Sequence, residues 1–171
     1  MRTVVSWGLR IGCVVLGGLC FCCTGKPALF KINTHAVLHF PLSTPSEILF
    51  LDYIGENEKF ACLFIFTDAD CSGCLIERNG WEVFVGKYPR LKPIYIAKAR
   101  YLSDFLQDMQ YYGHKIPVYH DVDHSVHTSN IITGREKIVM TDSRLNILYA
   151  GMPIGDKNFN KAYEAFLHLG E

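Results

Sequence analysis

Residues 60–74 read Phe-Ala-Cys-Leu-Phe-Ile-Phe-Thr-Asp-Ala-Asp-Cys-Ser-Gly-Cys, and they carry the strongest indication of the fold. Its first seven residues form a continuous apolar run, which is typical of a strand that is buried on both faces of a parallel sheet. A polar loop follows, and a helix is predicted from Cys71 to Lys87, where Pro89 stops it. Cys71 is therefore predicted to start a helix that follows a buried strand, with Cys74 one turn further along.

Strands and amphipathic helices alternate on both sides of this unit. The predicted strands are Pro93–Ala97, Ile116–Tyr119, Lys137–Thr141 and Ile147–Ala150, and the predicted helices are Tyr101–Tyr112 and a last one from about Phe159 that ends at Gly170. The last two strands form a hairpin. The order β-α-β-α-β, then a β-hairpin and a helix, predicts a small α/β sandwich with a mixed central sheet and helices on both faces.

Residues 24–56 are predicted to be an N-terminal extension that adds edge strands. Ala28–Asn33 and Ile48–Tyr53 are the candidate strands, and Pro41 and Pro45 interrupt the stretch between them. The domain proper is expected over residues 57–171.

Residues 1–23 are predicted to be an export signal. Arg2 and Arg10 precede thirteen uncharged residues, Ile11–Cys23, a length that suits the core of a signal peptide and falls short of the about 20 apolar residues of a membrane span. The cysteines that end this run make the leader similar to a bacterial lipoprotein signal, in which a cysteine receives the lipid. Cys23 is the favoured lipid site and Cys22 the second. An uncleaved signal anchor and a cytosolic protein are the alternatives.

Composition excludes several classes of protein. The 171 residues carry 17 basic and 17 acidic side chains, so the net charge gives no indication of nonspecific electrostatic binding to nucleic acid. The apolar fraction of 49% excludes a disordered chain. The seven cysteines fall into two groups, which argues against a scattered disulfide scaffold; they are Cys13, Cys20, Cys22, Cys23, Cys62, Cys71 and Cys74.

The sequence Cys71-Ser-Gly-Cys74 carries the candidate chemistry. The free N–H groups and the dipole at a helix start stabilise an anion, so the thiolate of Cys71 is the expected nucleophile. Cys74 lies one turn further along and can resolve the mixed disulfide. Cys62 lies in the middle of the apolar run and is expected to be a buried, inert thiol.

With this motif in place, the chain resembles the thioredoxin superfamily, in particular the membrane-tethered TlpA/ResA-like and redoxin-like proteins of the bacterial envelope. The resemblance covers residues 57–171. It rests on the β-CxxC-α unit, on Cys74-Leu-Ile-Glu77, on Ile-Pro-Val-Tyr-His-Asp at residues 116–121, and on the hairpin that runs into Gly151.

The resemblance implies a thioredoxin-like three-layer sandwich and a membrane-anchored thiol–disulfide oxidoreductase that faces the periplasm or cell surface. It implies a reversible Cys71–Cys74 disulfide, and it implies that Glu77 accepts a proton from the resolving thiol; the alternative for Glu77 is a solvated helix residue. No cofactor is expected. The expected partners are thiols or disulfides of envelope proteins and an electron-donor protein.

Three departures from the family pattern bear on activity. The cis-proline that usually faces the cysteines is absent, since residues 135–137 read Arg-Glu-Lys. Asp68 and Asp70 stand before Cys71, where their charges should raise the pKa of its thiol. The central strand also lacks a buried acid. Together these features argue against a strongly oxidising enzyme and favour a reductase.

Two alternatives use the same fold differently. Copper chaperones of this fold bind metal through two cysteines and a distant histidine, so Cys71 and Cys74 with His120 or His124 are an alternative site for Cu(I). The sequence predicts that these histidines gather around Pro117, together with His114 and His127; the competing interpretation is a set of surface histidines without a ligand role. A redox-inactive interaction domain is the second alternative.

Overall fold

The computed structural model describes residues 28–55, 59–68, 80–130 and 138–168. Within them, seven strands form one mixed sheet in the order β2-β1-β5-β4-β3-β6-β7. The strands are β1 (Val37–His39), β2 (Glu47–Leu49), β3 (Ala61–Asp68), β4 (Leu91–Lys98), β5 (Val118–His120), β6 (Ile138–Thr141) and β7 (Ile147–Ala150). The helices are α1 (Phe50–Ile54), α2 (described over residues 80–85), α3 (Leu102–Tyr111), α4 (Ser125–Ser129) and α5 (Lys157–His168). None of the helices in these ranges is long and apolar enough to span a bilayer.

The predicted central strand is confirmed. β3 pairs in parallel with β4 and antiparallel with β6, and every side chain from Ala61 to Thr67 is buried. A strand with partners on both edges and layers on both faces buries side chains on both faces, which explains the continuous apolar run from Phe60 to Phe66.

Side chains of β3 alternate between two cores, so the sheet is the middle of three layers. Leu63 and Ile65 pack on the face that α2, α3 and α5 cover, whereas Cys62, Phe64 and Phe66 pack on the face that α1, α4 and Phe30 cover. The predicted three-layer α/β sandwich, with a central mixed sheet and helices on both faces, is confirmed.

Helix α3 confirms the amphipathic pattern expected over Tyr101–Tyr112. Phe105 and Met109, one turn apart, are its buried residues. The helix ends where Gly113 takes a φ of +73°, which is costly for a residue with a side chain. The hairpin of β6 and β7 is confirmed as well.

The predicted strand Ala28–Asn33 is wrong. Its only ladder contact is a single bridge from Leu29 to Asn146, because Phe30 instead turns inward, where it is 1% exposed and stacks on Phe64 at 4.2 Å between ring centroids. The segment is held by this packing on a face of the sheet together with two backbone hydrogen bonds to residues 145 and 147.

The predicted strand Ile48–Tyr53 is also wrong over most of its length. Pairing stops at Leu49, and the chain turns into α1, which buries Phe50 and Ile54 one helical turn apart. Two elements were not predicted: β1, which has three residues, and α4, which has five. Elements this short carry too few periods of a pattern to be recognised.

One end of the sheet gathers the ends of several strands. β3, β4, β5 and β7 run in the same direction, since β6 pairs antiparallel with both β3 and β7. We call the end at which Asp68, Lys98, His120 and Ala150 lie the carboxyl end of the sheet, and the opposite end the amino end.

Candidate functional site at the carboxyl end of the sheet

The residues predicted to carry chemistry lie outside the described residues. These are Cys71, Cys74, Glu77, Asp70, the two candidate lipid sites Cys22 and Cys23, and the expected proline position at residues 135–137. Their predicted roles therefore stay predictions. The structure describes the elements on either side of Cys71 and Cys74. The strand before them, β3, ends at Asp68, three residues before Cys71.

Helix α2 packs across the sheet by two aromatic side chains. Trp81 and Phe84 are 7% and 8% exposed, and they pack in one core with Leu63 of β3. The ring of Phe84 also lies 5.4 Å from that of Phe159 on α5, so α2 is wedged between the sheet and the last helix. The elements on both sides of residues 69–79, β3 and α2, are therefore held in defined positions by packing.

Cationic side chains lie beside the last residue of β3. Asp68 is in register with Lys98 of β4, and both Lys98 and Arg100 are exposed. Sequence reasoning weighed only the acids near the nucleophile. The structure adds two basic residues at the same end of the sheet, Lys98 at the end of β4 and Arg100 just after it.

A buried carboxylate organises the end of β5. Asp121 is 2% exposed, and its oxygens accept hydrogen bonds from the backbone N–H groups of Val126 and His127, both at 3.0 Å. A third bond comes from Nδ1 of His127, at 2.5 Å. Burial opposes ionisation of this carboxyl, but the three donors outweigh it and lower the pKa of Asp121 below its usual value.

Sequence reasoning missed this pair. It treated His127 only as one histidine of a group and Asp121 only as the last residue of a family motif. The ring of His127 also lies edge-on to Phe66 at 4.9 Å, so the pair touches the second core of the sheet. An acidic residue shortly before Ser125 is a helix-start signal that could have indicated α4, but nothing in the sequence links Asp121 to the ring of His127.

The other histidines near Pro117 have separate partners. His114 is 1% exposed, and its Nδ1 lies 3.5 Å from Oε1 of Glu82 on α2. Nε2 of His120 donates to the carbonyl of Ala99 at 2.9 Å. The ring of His124 lies 6.5 Å from that of His127.

Metal-ligand geometry is not formed among these side chains. Within the described ranges, no three His, Cys, Asp or Glu side chains lie close enough together to hold a metal ion. The alternative copper site also needs Cys71 and Cys74, which lie outside those ranges.

The predicted burial of Cys62 is confirmed. It is 1% exposed, and burial raises the pKa of its thiol to about 12, against the opposing charge of Lys92. A thiol that stays protonated and has no access to solvent does not enter exchange.

A cavity of about 310 Å³ lies at the opposite end of the sheet. Phe40, Tyr53, Val85, Ile116 and Pro117 supply most of its apolar wall. It is therefore separate from the carboxyl end, where the predicted thiols belong.

Comparisons with known proteins identify the fold. No protein-family model and no curated protein matches the chain. A candidate thiol:disulfide interchange protein DsbE from Chlorobium tepidum superposes with a TM-score of 0.59 at 11% identity, over 84% of this chain and 98% of that one. A candidate electron transfer protein from Aquifex aeolicus gives 0.55 at 12%, over 86% and 99%. The thioredoxin domain of a thiol-disulfide oxidoreductase from Bacteroides vulgatus gives 0.53 at 15%, over 80% and 99%. The chain therefore adopts the thioredoxin-like fold.

Proposed function

We propose that this protein is a thiol–disulfide oxidoreductase of the cell envelope, anchored to the membrane through Cys23 or Cys22. Cys71 is the nucleophile, Cys74 the resolving thiol, and Glu77 the proton acceptor for Cys74. Its partners are thiols or disulfides of envelope proteins and an electron-donor protein.

One observation carries the proposal: the CxxC sequence follows the central strand of a thioredoxin-like sheet. β3 ends at Asp68 between β4 and β6, and the next described residues belong to a helix packed back on β3 by Trp81 and Phe84. Three Cα–Cα steps of about 3.8 Å keep Cys71 within about 11 Å of Asp68. The solved structures of similar fold include proteins described as thiol–disulfide oxidoreductases, which supports the same chemistry here.

The proposed reaction conserves atoms and electrons. The thiolate of Cys71 attacks a partner disulfide, forming a mixed disulfide and releasing one partner thiolate. The thiolate of Cys74 then attacks the sulfur of Cys71 and releases the second. The partner gains two electrons and two protons, and the protein is left with a Cys71–Cys74 disulfide, which the electron donor reduces.

The proposed direction, reduction of partners, follows from a weakly acidified nucleophile. A negative charge about 6 Å from a thiolate costs about 3 kcal/mol at an effective dielectric of 20, before salt screening. Asp68 and Asp70 act in this sense, while Lys98 and Arg100 oppose them. A thiolate without strong net stabilisation favours the disulfide, which makes the dithiol a reductant.

Trapping experiments test the thiol chemistry. Cys74→Ser should accumulate mixed disulfides with envelope proteins, and the wild-type pair should equilibrate with glutathione. Cys62→Ala is the matched control, since it removes a thiol that takes no part. If the wild-type pair does not react with glutathione and Cys74→Ser traps nothing, the enzyme proposal fails.

Fatty-acid labelling tests the anchor. Labelled fatty acid should enter the full chain, and Cys22→Ser with Cys23→Ser should abolish the label while the domain stays folded. An unlabelled mature protein would contradict the anchor and leave the thiol chemistry to be judged on its own assay. No contact among the described residues favours the copper-binding alternative over thiol exchange.

A further inference from the structure

The chain upstream of the domain is attached to one side of the sheet, beside β7. The carbonyl of Ala28 accepts a hydrogen bond from the N–H of Ile147, and the N–H of Phe30 donates to the carbonyl of Leu145, both at 2.8 Å. The side chain of Asn130 bonds both the N–H and the carbonyl of Lys31, each at 2.7 Å. The point at which the chain leaves the described domain is therefore held in place.

Exposed apolar side chains flank this point. Leu29, Met152 and Ile154 are 60%, 50% and 62% exposed. Leu29 bridges to the residue before β7, and the other two follow the end of β7, so the three lie at the two ends of the last strand of the sheet. Exposed apolar residues are ordinary and also occur on the β2 side, at Leu42, Leu49 and Leu51; what sets these three apart is that the proposed lipid site lies a few residues before Leu29.

The loop that presents Met152 and Ile154 is well organised. The hydroxyl of Tyr149 donates to Asp156 at 2.7 Å, and the N–H of Asp156 donates to the carbonyl of Pro153 at 3.2 Å. Gly151 has a φ of +143°, and a Cβ there would lie 3.0 Å from the Tyr149 hydroxyl. Internal hydrogen bonds thus hold the two apolar side chains toward solvent.

Basic residues accompany the apolar ones. Arg144 lies in the turn before β7, Lys157 begins α5, and both are exposed. The acids nearby are Asp142 and Asp156, and each accepts several hydrogen bonds from its own loop. We call Leu29, Arg144, Met152, Ile154 and Lys157 the β7 patch. These two acids balance the two cations, so the apolar side chains supply the main attraction to a lipid surface, and Arg144 and Lys157 are the groups that contact anionic headgroups.

We propose that the β7 patch rests on the membrane surface, so that the domain is docked on the bilayer in a fixed orientation. This inference rests on the proposed anchor. Five Cα–Cα steps separate Cys23 from Ala28 and span at most about 19 Å, so a lipid-bearing Cys23 keeps the β7 side at the bilayer. The β2 side lies six strand spacings away, about 29 Å. β3 is only two spacings from β7, about 10 Å, so exchange takes place close to the membrane.

Fluorescence quenching in vesicles tests the orientation. The full lipid-bearing chain, with Cys62→Ala, Cys71→Ser and Cys74→Ser, carries one bimane label at Ile154→Cys or at Leu49→Cys. Leu49 on β2 is the matched site, at 47% exposure. Vesicles of phosphatidylethanolamine and phosphatidylglycerol, 7:3, contain a nitroxide-headgroup lipid as quencher. Quenching at Ile154 should be several times that at Leu49.

A charge reversal separates docking from tethering. Arg144→Glu with Lys157→Glu should lose most of the difference between the two labels, whereas Lys115→Glu, an exposed cation outside the patch, should preserve it. Equal quenching at the two sites, or stronger quenching at Leu49, overturns the inference even if fatty acid is incorporated. If no fatty acid is incorporated and the chain does not float with vesicles, the anchor and the orientation both fail, while glutathione exchange still decides the thiol chemistry.

Discussion

Asp121→Asn should destabilise the protein by removing the charge that organises the end of β5. The amide oxygen can still accept from the N–H of Val126, but the amide nitrogen then faces two donors of His127, its N–H and its Nδ1. A buried donor left without an acceptor costs about 1–3 kcal/mol. Because His127 is a quarter exposed, water can satisfy part of this loss. The expected decrease in the free energy of unfolding at neutral pH is therefore about 2 kcal/mol.

The effect should depend on pH in a defined direction. The pKa of Asp121 is lowered in the folded state, so its ionisation stabilises the fold at pH values above the unfolded pKa near 3.8. This contribution is lost as the pH falls from there through the folded pKa. The difference between wild type and Asp121→Asn should therefore be full at pH 7 and shrink below about pH 4.

Urea unfolding followed by circular dichroism, at a series of pH values, measures both effects. Asp123→Asn is the matched control: Asp123 is exposed two residues away and bonds only locally to Ser125, so its loss should change stability little. If Asp121→Asn is no more destabilising than the control, or if its effect is the same at pH 3 and pH 7, the account of Asp121 as a charged anchor of α4 is refuted.

Three further outcomes follow from packing and charge. Phe30→Ala should lower the free energy of unfolding by about 3–5 kcal/mol, because it removes one ring of a buried aromatic stack. Leu29→Ala, at the exposed neighbouring residue, should lower it little. Thermal unfolding compares the two variants, and equal losses would refute the assigned burial. Cys62 should resist iodoacetamide at pH 8 until urea unfolds the chain, and alkylation of native protein would contradict its raised pKa. Asp68→Asn with Asp70→Asn should lower the pKa of the nucleophilic thiol and make the reduction potential less negative. The alkylation rate as a function of pH measures the pKa, and equilibration with glutathione measures the potential. If both values are unchanged, the two acids do not tune the thiol.

Long, regular patterns were enough to predict the frame of the fold. The apolar run from Phe60 is typical of a strand covered on both faces, and the 3.6-residue periodicity of α3 and α5 indicates one buried side on each helix. These signals can be read within one segment, because the burial of its side chains repeats with the period of the helix or strand. The same reasoning predicts that the CxxC sequence lies between a buried strand and a helix; the strand is confirmed, and the motif itself lies outside the described residues.

Side-chain contacts between distant segments were decided only by the tertiary structure. Phe30 is buried because Phe64, 34 residues away, offers a ring to stack on, so a segment expected to be a strand lies across a face of the sheet instead. Lys98 comes beside Asp68 only when β3 and β4 are paired in one register. Asp121 and His127 meet because α4 folds back on the end of β5. Such contacts depend on where whole elements pack, and no period or motif within the sequence records that.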